Sequence, residues 1–414
     1  MRHRRRGSAY LAVLGSAVIV AVISLSSLMV TRIHHHTAQS AAGAGLARFY
    51  ARSAVEIAIG GSAVYDNWRT SLGLVSGQLF GIIFDGGMCY FTLVDEVDDD
   101  LANDPDHPVR ITGSGDVDDA VFAYSVLAVP PPLNCLQAAV HACGVFTVQE
   151  NSVLTVDGAP AFCSYDAGFG FGTFYNDSGA TLNGDVEAKL VANLGTITGS
   201  VTENAPPKEL PTSATINYYR SLATPISWAA IPSGVLANQI VDTTGNPDGL
   251  YHIDTQGNDL TIENCRIEGT LVVDVVSPQK VIISKGIYWE PHRSDFPALI
   301  VNGDCDIGIE YPLSEPDTGV NFNPVGFPYE GDEDTDANDV YPGVIKGLVH
   351  ITGVSTELRL STQIGGAVIA HGQITVWDSV SVTYNPNLAL NPPKRYRATR
   401  LNVVPGTWRR ELAP

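Results

Sequence analysis

The sequence predicts a mainly β protein: an N-terminal transmembrane plus stalk α-helix, then a β-rich domain, then a parallel β-solenoid. An antiparallel β-sandwich is the alternative for the last part. Three observations carry this. A charge-free run follows a cluster of arginines at the start. An alanine-rich, proline-free stretch at helical spacing comes next. Beyond it, short β-branched segments alternate with glycines, and several look like one repeat.

The anchor comes first. Arg2, Arg4, Arg5 and Arg6 precede a run, 7–30, whose one titratable side chain is Tyr10. As a helix the run spans about 35 Å, enough for a hydrocarbon core of about 30 Å. A secretory signal has a shorter apolar region, about 7–15 residues, closed by small residues at a cleavage site. Here Met29-Val30-Thr31-Arg32 closes the run instead. We therefore read an uncleaved anchor over 1–33, with a cleaved signal as the alternative. The arginines stay cytoplasmic and the rest is exported.

A stalk helix over 34–66 follows. Leu46, Phe49, Tyr50, Ser53, Ala54 and Ile57 recur at helical spacing, and Gly60-Gly61 should stop the helix near Ile59. The apolar face should pack on the globular part or on a partner helix.

Charge is uneven along the 414 residues. The net is −20, yet 1–52 hold seven Lys/Arg and no acid. The remainder has 17 Lys/Arg against 44 Asp/Glu, a net of −27. Such a surface excludes nucleic acid and anionic lipid as ligands of the exported part. It suits solubility and weak binding of divalent cations.

A β-rich domain is expected over 67–178. LFGIIF, CYFTLVDE, VRITGSG and AVFAYSVLAV are short strands between acidic turns, and Pro130-Pro131-Pro132 breaks the chain. The solenoid is expected over 179–414. IEGTLVV, IKGLVHITG and IGGAVIAHGQITV read as rungs, each a strand, a glycine corner and another strand. Stacking such rungs buries aliphatic side chains that one short strand cannot bury alone.

The six cysteines form no CxxC pair, which argues against a zinc ribbon. Cys135 and Cys143 flank a short helix-like stretch and are the best local candidates for a disulfide. Cys265 and Cys305 lie in strand-like runs and read equally well as buried thiols.

No G-x-S-x-G, H-E-x-x-H or P-loop occurs. The histidines outside His34-His35-His36 are scattered, and a lone histidine is more often structure than a ligand. Two acidic runs stand out, 95–108 and 329–343. In the second, Asp332, Asp334 and Asp336 have the alternate spacing of a calcium loop, with Asn338 and Asp339 behind. Ala337 and Gly343 occupy the positions an EF-hand gives to glycine and glutamate, so this is no EF-hand. Ca2+ is the cofactor these residues would suit; a solvated acidic loop needs none. A solenoid glycosidase or lyase would need facing carboxylates, or a base beside them. Asp304, Asp306, Glu310, Lys280 and Lys285 are the nearest approach in sequence, and no spacing forces them together. The expectation is no enzyme.

RRRG, then SAYLAVLGSAVIVAVISLSSL, then LARFYARSAVEIAI resembles the N-terminal region of PilX-type minor pilins and of the large minor pseudopilins of type II secretion. Those families share a basic tip, a glycine before the apolar helix and a distal A-x-x-A-x-E, here Ala51 to Glu56. The resemblance covers roughly the first 65 residues. It implies a prepilin peptidase cut between Gly7 and Ser8, and partners that are other pilin-like subunits in the membrane. Most pilins carry Glu five residues after the cut; here Ala12 stands there, as in that subgroup. The large pseudopilins' calcium loops raise the interest of 332–339. Residues 250–414, with GLVHITG, IGGAVIAHG and the closing VPGTWRREL, are similar to bactofilin solenoids and to exported regions of some PilX-type proteins. The implied function is a non-enzymatic assembly component of a type IV pilus or type II secretion pseudopilus. It would cross the bacterial inner membrane once, N-terminus cytoplasmic, with its body periplasmic or on a surface filament. The alternative is a membrane-tethered calcium-dependent adhesin.

Overall fold

The computed structural model describes residues 6–65, 68–71, 76–84, 86–165 and 170–412. Two units emerge: one holds the chain to Pro131 together with Thr399 onward, the other Pro132–Ala398.

In the first unit a single helix, α1, spans Arg6–Val64 without proline. Ser16, Ser26, Thr31 and Thr37 return their hydroxyls to carbonyls three or four residues back, so the apolar half carries no free hydroxyl donor at these positions. The helix passes through Gly60-Gly61 to Val64 instead of stopping near Ile59. Tertiary contacts override the glycines: Val55 and Ala58 are buried, and Ser62 Oγ accepts the Leu401 amide at 2.9 Å.

The distal half of α1 lies on an antiparallel meander: β1 (Phe80–Phe84), β2 (Gly87–Asp95), β3 (Val109–Val117) and β4 (Ala120–Val129). The C-terminal strands Asn402–Val403 and Arg409–Glu411 complete the sheet along β4. Glycines set the distance between helix and sheet. A Cβ on Gly113 would stand 2.3 Å from Ala51 O, and one on Gly115 2.1 Å from Ala47 O. The helix backbone lies directly on this floor, and α1 turns Ala47, Ala51 and Ala54 inward beside Tyr50 and Val55. Of the face expected from sequence, Tyr50 and Ala54 are buried, whereas Leu46 and Phe49 are exposed.

The second unit is a three-faced parallel β-solenoid, as the rungs predicted. Residues stack in register inside it. Trp289, Ile345, Ile364, Val382 and Val156 form one buried ladder. Ile262, Ile283, Ile307, Leu358, Val376 and Val148 form another. The solenoid takes in strands before 179, from Val140–Cys143 onward, and its last strand is Ser379–Tyr384. Its winding is split. From Val140–Cys143 the chain coils toward one end, reaching Val201–Glu203. A second helix, α2 (Ser213–Leu222), follows, and the chain resumes at the other end with Thr224–Pro225. It coils back until Gln363–Ala370 and Ser379–Tyr384 meet Val140–Cys143 and Val153–Asp157. Ile216 and Tyr219 of α2 pack with Leu250, Val272, Ile300, Leu348 and Ile369. Both sides of that face are therefore dry, which is why IEGTLVV and GAVIA run apolar without alternation.

Candidate functional sites: the exposed helix and the acidic loops

The proximal half of α1 is the largest apolar feature. Its most hydrophobic stretch has mean hydropathy 2.4 and buries nothing within the chain. Side chains from Leu11 to Ile33 stand largely exposed. At about 1.5–3 kcal/mol for each large apolar side chain left in water, this segment requires a bilayer or partner helices. One N-terminal helix is thus long and apolar enough for single-pass anchoring. The Gly7–Ser8 bond lies in its first turn. The Ser8 side chain, and all of Arg2, Arg4 and Arg5, lie outside the described residues. His34, His35 and His36 are exposed, with His36 Nδ1 3.4 Å from Ser40 Oγ. Consecutive helical residues point about 100° apart, so the triplet cannot chelate one ion.

The first acidic run forms a fixed loop. Asp95 is buried and accepts the Val97 amide at 2.9 Å; Asp98 and Asp100 accept the amides two residues on. Arg69 fastens the loop from behind, donating to the carbonyls of Leu101, Asp104 and His107. His107 Nδ1 stands 3.3 Å from Asp95 and 3.8 Å from Asp98. Among the described residues, Asp95, Asp98 and His107 are the one group of three such side chains whose ligand atoms approach closely enough for one metal. Arg69 Nη1, 3.6 Å from Asp95 Oδ2, already supplies a positive charge there.

The second run is organised differently. Glu315, fully buried, accepts the Asp339 amide and the Tyr341 hydroxyl, so it pins the loop. Asp334 accepts from Asn321 Nδ2 at 2.8 Å and Asp339 from Asn323 Nδ2 at 2.9 Å. Burial, then Asp336 and Asp339, push the Asp334 carboxyl upward. Asp332 and Asn338 are exposed. Asp334 and Asp339 are thus held by side-chain amides, and among the described residues this run contains no group of three carboxylates close enough to share one ion. Arg266, also buried, secures the same insertion through the carbonyls of Phe322, Phe327 and Pro328.

Of the residues weighed for catalysis, Lys280, Asp306 and Lys285 lie in ion pairs across rungs. Lys280 and Arg359 both pair with Asp306, and Lys285 with Glu263 at 2.7 Å. Cys135 and Cys143 are buried and not joined in a disulfide; the stretch between them is one short 3-10 turn leading into a strand.

Histidines that read as scattered are brought together. His350 Nδ1 lies 2.8 Å from Tyr396 Oη, and its Nε2 3.0 Å from His371 Nε2. His141 contacts Ser164 Oγ at 3.0 Å and stacks on Phe162. The period between rungs could have shown the first pair: His350 pairs with Ile369, two residues short of His371.

No family model matches the chain, and no curated protein matches it. Among solved structures it is similar to the competence-associated pilin ComZ from Thermus thermophilus, with 12% identity and a TM-score of 0.34, covering 90% of this chain and 98% of that one. It is also similar to a glycosylated ice-binding protein from Arctic yeast: 11% identity, TM-score 0.28, 62% of this chain and 94% of that one. An ice-binding protein from the Antarctic ascomycete Antarctomyces psychrotrophicus gives 12% identity and a TM-score of 0.22, over 61% and 98%. TM-scores this low establish neither a shared fold nor a shared function.

Proposed function

We propose that this chain is a non-enzymatic, pilin-like assembly component of a type IV pilus or type II secretion pseudopilus. The observation that carries the reading is the division of α1. Its distal half is locked onto a glycine floor, while its proximal half exposes an unbroken apolar surface. Such a helix can sit in the bilayer and then pack among like helices without disturbing its head. The N-terminal resemblance supplies the partners: other pilin-like subunits, and a prepilin peptidase acting after Gly7. The solenoid would be the part displayed.

Photo-crosslinking tests this. A photoreactive residue at Ile19, in cells expressing the assembly machinery, should capture helices of other pilin-like subunits. The same residue at Tyr219, buried on the inner face of α2, should capture none. Equal yields at both positions, or lipid adducts alone at Ile19 under assembling conditions, would overturn the assembly reading.

A further inference from the structure

Within this acidic chain, one surface of the first unit is basic and aromatic. Arg48, Phe49 and Arg52 of α1 face Tyr124 of β4, Trp408, and Arg409 and Arg410 of the C-terminal strand across a cleft of about 520 Å³. Phe122 is held between two guanidinium groups, Arg48 at 4.5 Å and Arg410 at 4.9 Å from its ring centre. Trp408 meets Tyr124 edge-on. Phe49 is 63% and Trp408 41% exposed. Arg52 reaches Glu56, but Arg48, Arg409 and Arg410 make no ion pair among the described residues. Arg409 acts on Glu96 only at longer range. Unpaired arginines beside exposed aromatic rings have the composition of an interface centre.

We infer that this cleft receives the acidic loop 96–100 of a second copy of the chain, an inference that rests on the assembly reading above. Charge complementarity names the occupant. Asp98, Asp99 and Asp100 are exposed, while Glu96 is engaged by Arg110 of its own chain; the loop backbone is already fixed by Arg69 and by its own aspartates. A preorganised loop loses little entropy on docking. Lipid headgroups are too far away: Arg48 lies about 27 Å along the helix from Val30, several Debye lengths of about 8 Å. Cleft and loop are different surfaces of one unit. Their contact is therefore heterologous, and such contacts propagate into open-ended assemblies unless they close into a ring.

The test uses the full chain in uncharged detergent, with self-association followed by sedimentation. Association should weaken steadily as salt rises from about 50 to about 500 mM. Arg48→Glu/Arg409→Glu/Arg410→Glu should weaken it at least about tenfold, and so should Asp99→Lys/Asp100→Lys. The two variants mixed should bind each other while neither binds itself. Arg48→Lys/Arg409→Lys/Arg410→Lys, with the same charge, should keep most of the association, and near-ultraviolet circular dichroism confirms that each variant is folded. Failure of the mixture to restore association, or association indifferent to salt, would overturn the inference. Crosslinking through Ile19 would still stand in that case, so the two readings fail separately.

Discussion

Acid should destabilise the solenoid well before its carboxylates titrate. His141 and His350 are fully buried. Burial pushes the His141 imidazole down to about 3, with Lys208 and His371 adding to the effect. Burial, then His371, holds His350 well below the usual histidine range. The folded state therefore keeps both rings neutral at a pH where the unfolded chain, with a pKa near 6.5, takes up protons. Because the folded values are depressed, stability is full above about 6.5 and falls as pH drops toward the folded values. From about pH 7 to about pH 5 each ring costs about 2 kcal/mol, and the pair about 4 kcal/mol. Asp274 contributes in a lower window. Burial pushes its carboxyl up, but hydrogen bonds from His252, Arg220 and Asn302 more than offset this and hold it below the usual range. Its contribution persists above the unfolded pKa near 3.9 and is lost only below it. Guanidinium unfolding of the full chain in detergent, followed by tryptophan fluorescence, measures the difference. Trp289, buried in the same core, is one reporter. His141→Gln and His350→Gln should each remove about half of the pH dependence. A wild-type stability unchanged between the two pH values, or an unchanged dependence in the double variant, would refute the reasoning.

Three further outcomes are expected. Gly115→Val should lift α1 from its sheet, costing about 3 kcal/mol or more; limited proteolysis should then cut the first unit at concentrations that leave the solenoid whole. Arg266→Met removes the donor to three carbonyls and should cost about 3–5 kcal/mol; proteolytic cuts within 319–341, absent from the parent, would report it. Burial raises the thiols of Cys163 and Cys265 to about 12, so alkylation near neutral pH should modify them only after unfolding. Rapid modification of the native chain would contradict their placement.

The elements legible in the sequence were those with a local cause. The anchor is legible because charge is absent over 7–30, and the rungs because glycine corners separate β-branched strands. What was not legible depends on distant chain. The solenoid reaches back to Val140 because residues 140–157 are covered by 363–383, and no local pattern announces a strand whose neighbour lies more than two hundred residues away. The closing strand over Arg409–Glu411 belongs with β4 for the same reason. The inward face of α1 was legible in part: Tyr50 and Ala54 are buried, but hydrophobicity also favours Leu46 and Phe49, whereas the helix backbone lies directly on Gly113 and Gly115 through Ala47 and Ala51. The alternate aspartates of 332–339 suggested a cation cage. The amides of Asn321 and Asn323, well outside that run, already hold two of its carboxylates. His350 and His371 looked isolated because a rung, not a helical turn, sets their spacing.

The central claim is that α1 is a pilin-like assembly helix. Its most direct test is the N-terminus of the mature chain, read by intact-mass and peptide mass spectrometry after expression with and without a prepilin peptidase. The account predicts a start at Ser8 that appears only with the peptidase. An intact Met1 in both samples would contradict it and point to a plain tethered protein. A start beyond Ala38 would show that the anchor had been a signal peptide, and the filament reading would fall with it.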